Sequence, residues 1–182
     1  MVDLEAAWRA LPRSPQGLGR VRFICQRQAD GTHHTPDRVT ITRQAGLVGD
    51  RWSLSPAPNV EAQVTLMDFQ VASLVAGPDR PLDGVGDNFL VDLDLSVPSL
   101  PVGSRLRIGS AILEVTAKPH RGCKKFQQRF GDAALEWIGQ GSNAEGQWPE
   151  RRLRGVNCRV IEGGTVALLD AIQVLGAAER EG

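Results

Sequence analysis

At 182 residues, with 41% hydrophobic and 23% charged side chains, the chain is long enough for one domain with a hydrophobic core and too short for two catalytic domains. Its 21 basic and 21 acidic residues balance, which argues against nucleic acid as the main partner, because binding to a phosphate backbone normally needs a large positive excess. No segment approaches the roughly 18 consecutive apolar residues of a membrane-spanning helix, and acidic residues stand where a signal peptide would be basic. We therefore expect a cytoplasmic protein with neither a nucleic-acid nor a membrane partner.

Residues 1–19 are expected to form an N-terminal appendage. Within it a short helix is predicted over residues 3–10, and two prolines end it. From residue 20 onward, apolar and polar residues alternate in short runs, as they do in strands. We therefore place one domain at residues 20–176 and a C-terminal tail at residues 177–182.

Glycine and proline occur along the whole chain. Twenty glycines and eleven prolines make turns frequent and favour many short strands over long helices. The composition therefore predicts a mostly β domain, either a barrel or a sandwich, with a few short helices. The connection at residues 44–61 is rich in Gly, Pro and Ser and is long for a compact domain, and such loops are usually functional or mobile.

Three short helices are predicted after the first strands. Asp68 offers an N-cap to a helix over residues 69–76, which a Gly-Pro pair ends. Residues 124–130 and 133–138 also have helical spacing, with two phenylalanines one turn apart in the first of them.

The remaining pattern predicts strands and two hairpins. Alternation after Asn88 indicates a half-buried strand, and a Gly-Ser turn at residues 109–110 joins two further strands in a hairpin. A second hairpin is predicted where the strand around Cys158 turns at residues 162–164 into a strand over residues 166–174.

The segment at residues 118–126, Lys-Pro-His-Arg-Gly-Cys-Lys-Lys-Phe, is the most informative in the chain. It contains all three lysines of the protein, and Cys123 falls where a strand gives way to the start of a helix. The helix start and the surrounding cationic side chains favour the thiolate form. A thiolate attacks sulfur and is a soft metal ligand, so Cys123 is a candidate for persulfide formation or for coordination of molybdenum or copper.

The other two cysteines have a different setting. Cys25 and Cys158 lie in register with apolar strand neighbours, so they are expected in the core. The three cysteines match no zinc-ligand or CxxC spacing. His120 stands close to Cys123 in the sequence and could hold a proton next to the thiolate.

Three further segments could contact a ligand. The arginine-rich run at residues 151–155 precedes a strand and could clamp an anion, and the glycine turns at residues 46–51 and 84–88 could bring backbone close to a ligand. Neither glycine segment has the spacing of a Walker loop or a dinucleotide fingerprint.

Taken together and in order, these segments resemble the MOSC domain, the family named for the C-terminal domain of molybdenum cofactor sulfurase. The resemblance spans residues 20 to 175, most of the chain. The matching pieces are residues 49–52 (Gly-Asp-Arg-Trp), 63–67 (Gln-Val-Thr-Leu-Met), 86–90 (Gly-Asp-Asn-Phe-Leu), 102–109, 115–123 and 154–156 (Arg-Gly-Val).

The resemblance implies a β-barrel-like fold and a cysteine that carries sulfur as a persulfide or binds the molybdenum of a molybdopterin cofactor. Cys123 takes that position, as catalytic residue and as metal ligand. Family members typically have Gly-Glu-Asn where this chain has Gly-Asp-Asn at residues 86–88, so one carboxylate is shorter by a methylene. They have Gly-Asp where this chain has Leu-Asp at residues 169–170, which changes a turn.

The leading hypothesis is a stand-alone MOSC protein that handles sulfur by persulfide transfer in molybdenum cofactor chemistry. The residues expected to bind a phosphate-bearing pterin are Arg51, Asp87, Asn88, His120, Arg121, Lys124, Lys125 and Arg154. Pyridoxal phosphate would belong only to a separate donor enzyme, so the expected partners are a cysteine desulfurase-type sulfur donor or a molybdoenzyme acceptor. The alternatives are a molybdenum-cofactor-dependent reductase of N-hydroxylated compounds and a non-catalytic module that binds a pterin or a phosphate metabolite.

Overall fold

The computed structural model describes residues 3–139 and 151–177. Within these ranges, in chain order, the strands are β1 (Leu18–Ile24), β2 (Gln26–Arg27), β3 (His33–His34), β4 (Arg38–Thr42), β5 (Gly46–Leu47), β6 (Val64–Asp68), β7 (Phe89–Asp92), β8 (Ser104–Ile108), β9 (Ala111–Val115), β10 (Val156–Glu162), β11 (Gly164–Ala167) and β12 (Ala171–Ala177). The α-helices in the same ranges are α1 (Leu4–Ala10), α2 (Phe69–Ala76), α3 (Lys124–Phe130) and α4 (Asp132–Gly139). None of the helices in these ranges is long and apolar enough to cross a membrane. The predicted mostly β fold with a few short helices is confirmed.

Seven strands close into a barrel in the order β1, β12, β8, β9, β10, β6 and β7, and β7 pairs with β1 to complete the ring. Neighbouring strands are antiparallel except β6 and β7, which are parallel. Parallel neighbours need a crossover connection, and α2 with the residues after it supplies one. Fully buried side chains such as Val21, Leu66 and Phe89 belong to the barrel's hydrophobic core. The β-barrel implied by the family resemblance is therefore confirmed.

A second apolar cluster lies between the barrel and the helices. Phe126 and Phe130 of α3 have ring centroids 4.8 Å apart, and they belong to one buried cluster with Trp137 of α4 and with Met67 and Leu90 of the barrel. This cluster fixes α3 against β6 and β7 because large aromatic side chains bury much apolar surface. The turn that precedes α3 is thereby held at a defined place on the barrel.

The N-terminal segment packs onto helices α2 and α4. The carboxylate of Glu5 in α1 accepts hydrogen bonds from the indole nitrogen of Trp137 (3.0 Å) and from Arg151 (2.8 Å). The barrel strand β1 begins at Leu18, inside the segment that we expected to be an appendage.

The predicted second hairpin is wrong. Strand β10 pairs with β6 and β9 inside the barrel, whereas β11 pairs with β4 in a separate three-stranded sheet. The strand expected over residues 166–174 is also interrupted, because the chain turns between β11 and β12, where Leu169 has a left-handed φ of 69°. Alternation of apolar residues identifies a strand but does not specify its partner.

Candidate functional site

A cleft of about 760 Å³ lies where three parts of the chain meet. The first part is the loop between β5 and β6, which contributes side chains within residues 51–62, and the second is the turn at residues 118–123 that connects β9 to α3. The third consists of Arg27, Thr65 and Asn157 from three strands. The long connection noted in the sequence therefore forms part of the cleft.

Cys123 lies in the cleft lining and is exposed. It occupies the N-cap position of α3, where its backbone carbonyl accepts a hydrogen bond from the Gln127 amide (3.0 Å) while its side chain makes no capping bond. The sulfur is therefore not used to hold the helix end and is accessible from solvent.

The other two cysteines are buried in the barrel, as predicted. Cys25 and Cys158 have no exposed surface, and burial raises the pKa of each thiol to about 12. Thiols that titrate so high stay protonated at neutral pH and react slowly, because the thiolate is the nucleophile. Of the three thiols, only that of Cys123 is exposed to reagents in solution.

The cleft lining is cationic. Arg27, Arg51, Lys118 and Arg121 contribute to it, and none of the described residues that line it is Asp or Glu. Within residues 3–139 and 151–177, the side chains of Arg51, Lys118 and Arg121 have no carboxylate within ion-pair distance. The cleft therefore offers positive charge to an anion from outside the protein.

Arg27 is held in place by a buried polar network. Its guanidinium donates to both carboxylate oxygens of Asp50, at 2.9 Å from Nε and 2.8 Å from Nη2. The amide of Asn88 donates to Asp50 (3.0 Å), and the Asn88 oxygen accepts from the Thr65 backbone N–H (3.1 Å). A two-pronged contact of this kind fixes the orientation of the guanidinium.

A second chain of polar side chains reaches the cleft through His120. Arg154 donates to Oδ2 of Asp87 and to the carbonyl of Val85 (3.2 Å), and Oδ1 of Asp87 lies 3.4 Å from Nδ1 of His120. Both of these facing atoms are buried and, within the part of the chain that the structure describes, have no hydrogen-bond partner. A proton on Nδ1 would let it donate toward Asp87.

Burial sets the charge states in this inner layer. Burial, with the charges of Arg154 and Arg27, lowers the pKa of His120 well below its ordinary value, so the ring is neutral near pH 7. Burial also raises the pKa of Asp87, against the opposing charge and hydrogen bond of Arg154. For Asp50, burial is outweighed by the hydrogen bonds and charge of Arg27, which hold the pKa of that carboxyl below its ordinary value.

The structure separates the eight predicted cofactor-binding residues into three groups. Arg51, His120 and Arg121 line the cleft together with Cys123. Three others are buried behind it and are engaged in internal contacts, namely Asp87, Asn88 and Arg154. The last two are exposed at the start of α3, outside the cleft lining, namely Lys124 and Lys125.

Sequence reasoning missed several residues of the cleft. Arg27, Trp52 and Asn157 line it, and nothing in the local sequence marks Arg27 or Asn157. The segment containing Asp50 carried a signal, because it is one of the pieces that resemble the family. Arg27 could not be found in this way, since its place follows from a contact with Asp50, 23 residues away.

The residues of the cleft fit a phosphate-bearing pterin with molybdenum, the cofactor that the resemblance implies. Cations without internal partners suit the phosphate, and the exposed sulfur of Cys123 is a soft ligand. Within residues 3–139 and 151–177, no group of three or more His, Cys, Asp or Glu side chains could hold a metal ion.

Comparison with known proteins agrees with the fold. The YuaD protein from Bacillus subtilis matches with a TM-score of 0.59 and 17% identity over 88% of this chain and 97% of its own. YiiM from Escherichia coli matches with a TM-score of 0.59 and 18% identity over 88% of this chain and 71% of its own. YiiM from Geobacillus stearothermophilus has a TM-score of 0.55 and 14% identity over 86% of this chain and 75% of its own.

The sequence comparisons give the family. None of the curated proteins matches the sequence. The family model described as the MOSC domain matches residues 67–173, more than half of the chain, and MOSC domains are associated with molybdenum cofactor biology. The chain belongs to the MOSC domain family.

Proposed function

We propose that this MOSC protein is a sulfur carrier of molybdenum cofactor chemistry, in which Cys123 accepts sulfur as a persulfide and the cleft binds the phosphate-bearing pterin. The observation that carries the proposal is the position of the single exposed thiol in a cleft that has four cationic side chains and, among its described lining residues, no carboxylate. A thiol placed beside an anion-binding surface can meet both a sulfur donor from solution and an anionic acceptor in the cleft.

The loading step is a thiol and persulfide exchange. The Cys123 thiolate attacks the outer sulfur of a persulfide on the donor. The donor's sulfur–sulfur bond breaks as the new one forms at Cys123, and the donor departs as a thiolate. The outer sulfur is transferred with no net oxidation or reduction, so the step needs no further reactant.

Residues of the cleft divide the remaining tasks. Arg51, Lys118 and Arg121 bind the phosphate of the pterin, because their charges have no carboxylate partner among the described residues. His120 is neutral and lines the cleft beside Cys123, while Arg27 keeps a fixed orientation on Asp50. When bound, the cofactor supplies molybdenum as the site that receives sulfur.

The test is intact-mass spectrometry of the full chain after incubation with a small neutral alkyl persulfide. The wild-type protein gains one sulfur atom, Cys123→Ser gains none, and Cys25→Ala, the matched control at a buried cysteine, gains one. Pterin binding, measured by fluorescence titration, is unchanged in Cys123→Ser.

Other outcomes identify the alternatives. No added sulfur on the folded wild-type protein contradicts the carrier role. If Cys123→Ser loses molybdenum from reconstituted protein, the sulfur is a metal ligand, as in a reductase of N-hydroxylated compounds. If neither sulfur loading nor metal content depends on Cys123, the protein is a binding module.

A further inference from the structure

Four exposed cations flank the exposed thiol in sequence. Lys118 and Arg121 precede Cys123 and line the cleft, whereas Lys124 and Lys125 follow it at the start of α3 and lie outside the lining. We call these four cationic residues the cationic rim. The rim contains all three lysines of a chain whose formal net charge is zero.

The cationic rim has no internal counterions in the described structure. Among residues 3–139 and 151–177, no carboxylate lies within ion-pair distance of any rim side chain. Elsewhere on the surface, Arg151 pairs with Glu5, and Arg159 pairs with Glu61 and Glu114. Like charges held together repel one another, so the rim is not explained by stability of the fold.

A ligand inside the cleft cannot account for the whole rim. Lys124 and Lys125 are outside the cleft lining, so a pterin bound in the cleft would leave them in solvent. A surface that contacts all four cations must extend across the cleft mouth and over the start of α3. The surface of a partner protein is large enough to do so.

Exposed apolar side chains lie on the neighbouring loop. Leu54 and Val60 are 68% and 55% exposed, and one chain neighbour of each, Ser55 and Asn59, lines the cleft. Apolar side chains next to a charged patch are typical of protein interfaces and are not what a nucleic-acid backbone would require. The combination favours a protein partner with an acidic surface.

We propose that the cationic rim, with Leu54 and Val60, docks an acidic protein that delivers sulfur to Cys123. This inference rests on the proposed function. In the docked pair, the Cys123 thiolate attacks the outer sulfur of a cysteine persulfide on the partner, the partner's sulfur–sulfur bond breaks, and the partner leaves as a thiolate. Complementary charge accelerates such encounters by about 10-fold to 1,000-fold at low salt.

The experiment compares two synthetic peptides of equal length, each with one cysteine persulfide. One carries four aspartates around the cysteine, and the other carries four serines. Second-order rate constants for sulfur loading of the full-length protein are measured by intact mass. We expect the acidic peptide to react at least about 10-fold faster at low ionic strength, and the two rates to converge near 1 M salt, where the screening length is about 3 Å.

A charge-reversed variant tests the rim itself. In Lys124→Glu/Lys125→Glu, the acidic peptide loses its advantage, while the serine peptide reacts within about twofold of the wild-type rate. The matched control is Arg38→Glu/Arg107→Glu, which makes the same change in net charge at exposed residues that do not line the cleft and keeps the advantage. Circular dichroism of each variant confirms that it is folded, and Lys124→Gln/Lys125→Gln replaces any variant that is not.

The outcomes separate this inference from the proposed function. If both peptides load Cys123 at equal rates in low salt, the docking surface is overturned and the carrier role stands. If neither peptide loads Cys123, the carrier role itself fails. Tighter binding of a duplex oligonucleotide than of the acidic peptide, measured by fluorescence anisotropy, would also overturn the inference, because the rim would then be a nucleic-acid surface.

Discussion

Positive charge is concentrated in two regions of the molecule, the cleft around Cys123 and the arginine-rich turn that leads into β10. In that turn, Arg151 pairs with Glu5, and Arg154 pairs with the buried Asp87. Arg152 donates hydrogen bonds to the carbonyl oxygens of Leu95 and Leu100, a further internal contact.

The cleft is arranged in the opposite way. Its cations come from distant parts of the sequence, and Arg51, Lys118 and Arg121 have no carboxylate partner among the described residues. The two regions show that a row of arginines does not identify an anion site. What distinguishes the cleft is charge that the fold itself does not neutralise.

The largest expected effect comes from breaking the buried pair of the first region. Asp87→Asn lowers the free energy of unfolding by about 3 kcal/mol, because it leaves the Arg154 guanidinium buried without a counterion. Arg121→Gln in the cleft changes the same quantity by less than about 0.5 kcal/mol. Urea denaturation of both variants checks the contrast, and equal losses would remove the distinction between the regions.

Substitution of cationic residues in the cleft should weaken the binding of anions. Arg51→Gln and Arg121→Gln each weaken binding of inorganic pyrophosphate by about 10-fold, the loss of one charged hydrogen bond. Arg151→Gln leaves the affinity for pyrophosphate unchanged, because Arg151 forms an ion pair with Glu5. Isothermal titration calorimetry measures all three, and a loss at Arg151 as large as at Arg51 would contradict the assignment of the cleft.

Acidification should destabilise the inner layer of the cleft through His120. Since the pKa of His120 is lowered in the folded state, the unfolded chain binds its proton first, and stability falls as the pH drops below about 6.5. The contribution is at most about 1.4 kcal/mol per pH unit. In His120→Asn, stability decreases less steeply as the pH falls. Some decrease remains, because burial also lowers the pKa of His33. Urea denaturation between pH 7.5 and pH 5 measures how the free energy of unfolding depends on pH. Identical slopes for the wild-type protein and His120→Asn would contradict a buried, neutral His120 ring.

The smallest expected effect lies away from both regions, at the turn between β11 and β12. Leu169 has a left-handed φ and is 57% exposed, so Leu169→Gly relieves backbone strain and loses little buried surface. We expect a gain of about 0.5–1 kcal/mol in stability. Leu168→Gly, which relieves no such strain, should lower stability, and thermal unfolding distinguishes the two.

Features encoded by neighbouring residues could be predicted from the sequence. The sequence predicts the helix at residues 69–76 because its cap is local, and Asp68 does accept hydrogen bonds from Gln70 and Val71. The placement of Cys123 at the start of a helix was predicted for the same reason and is confirmed. The family resemblance also predicted the barrel.

Features that depend on contacts across the fold could not be predicted. Arg27 enters the cleft because Asp50 holds it, and the separation of β10 from β11 depends on pairing with strands far away in the chain. The cofactor-binding roles of the eight predicted residues stay predictions. For Lys124 and Lys125, which follow Cys123 directly, sequence distance gave no indication that they lie outside the cleft lining.

The central claim is that the reactive thiol and the anion site share one cleft, and protection of Cys123 from alkylation tests it most directly. The rate of modification by iodoacetamide is measured by intact mass while a phosphate-bearing pterin is titrated into the full-length protein. We expect the rate to fall and saturate, with a midpoint equal to the dissociation constant of the pterin found by calorimetry. An alkylation rate that stays constant while the pterin is fully bound would contradict it.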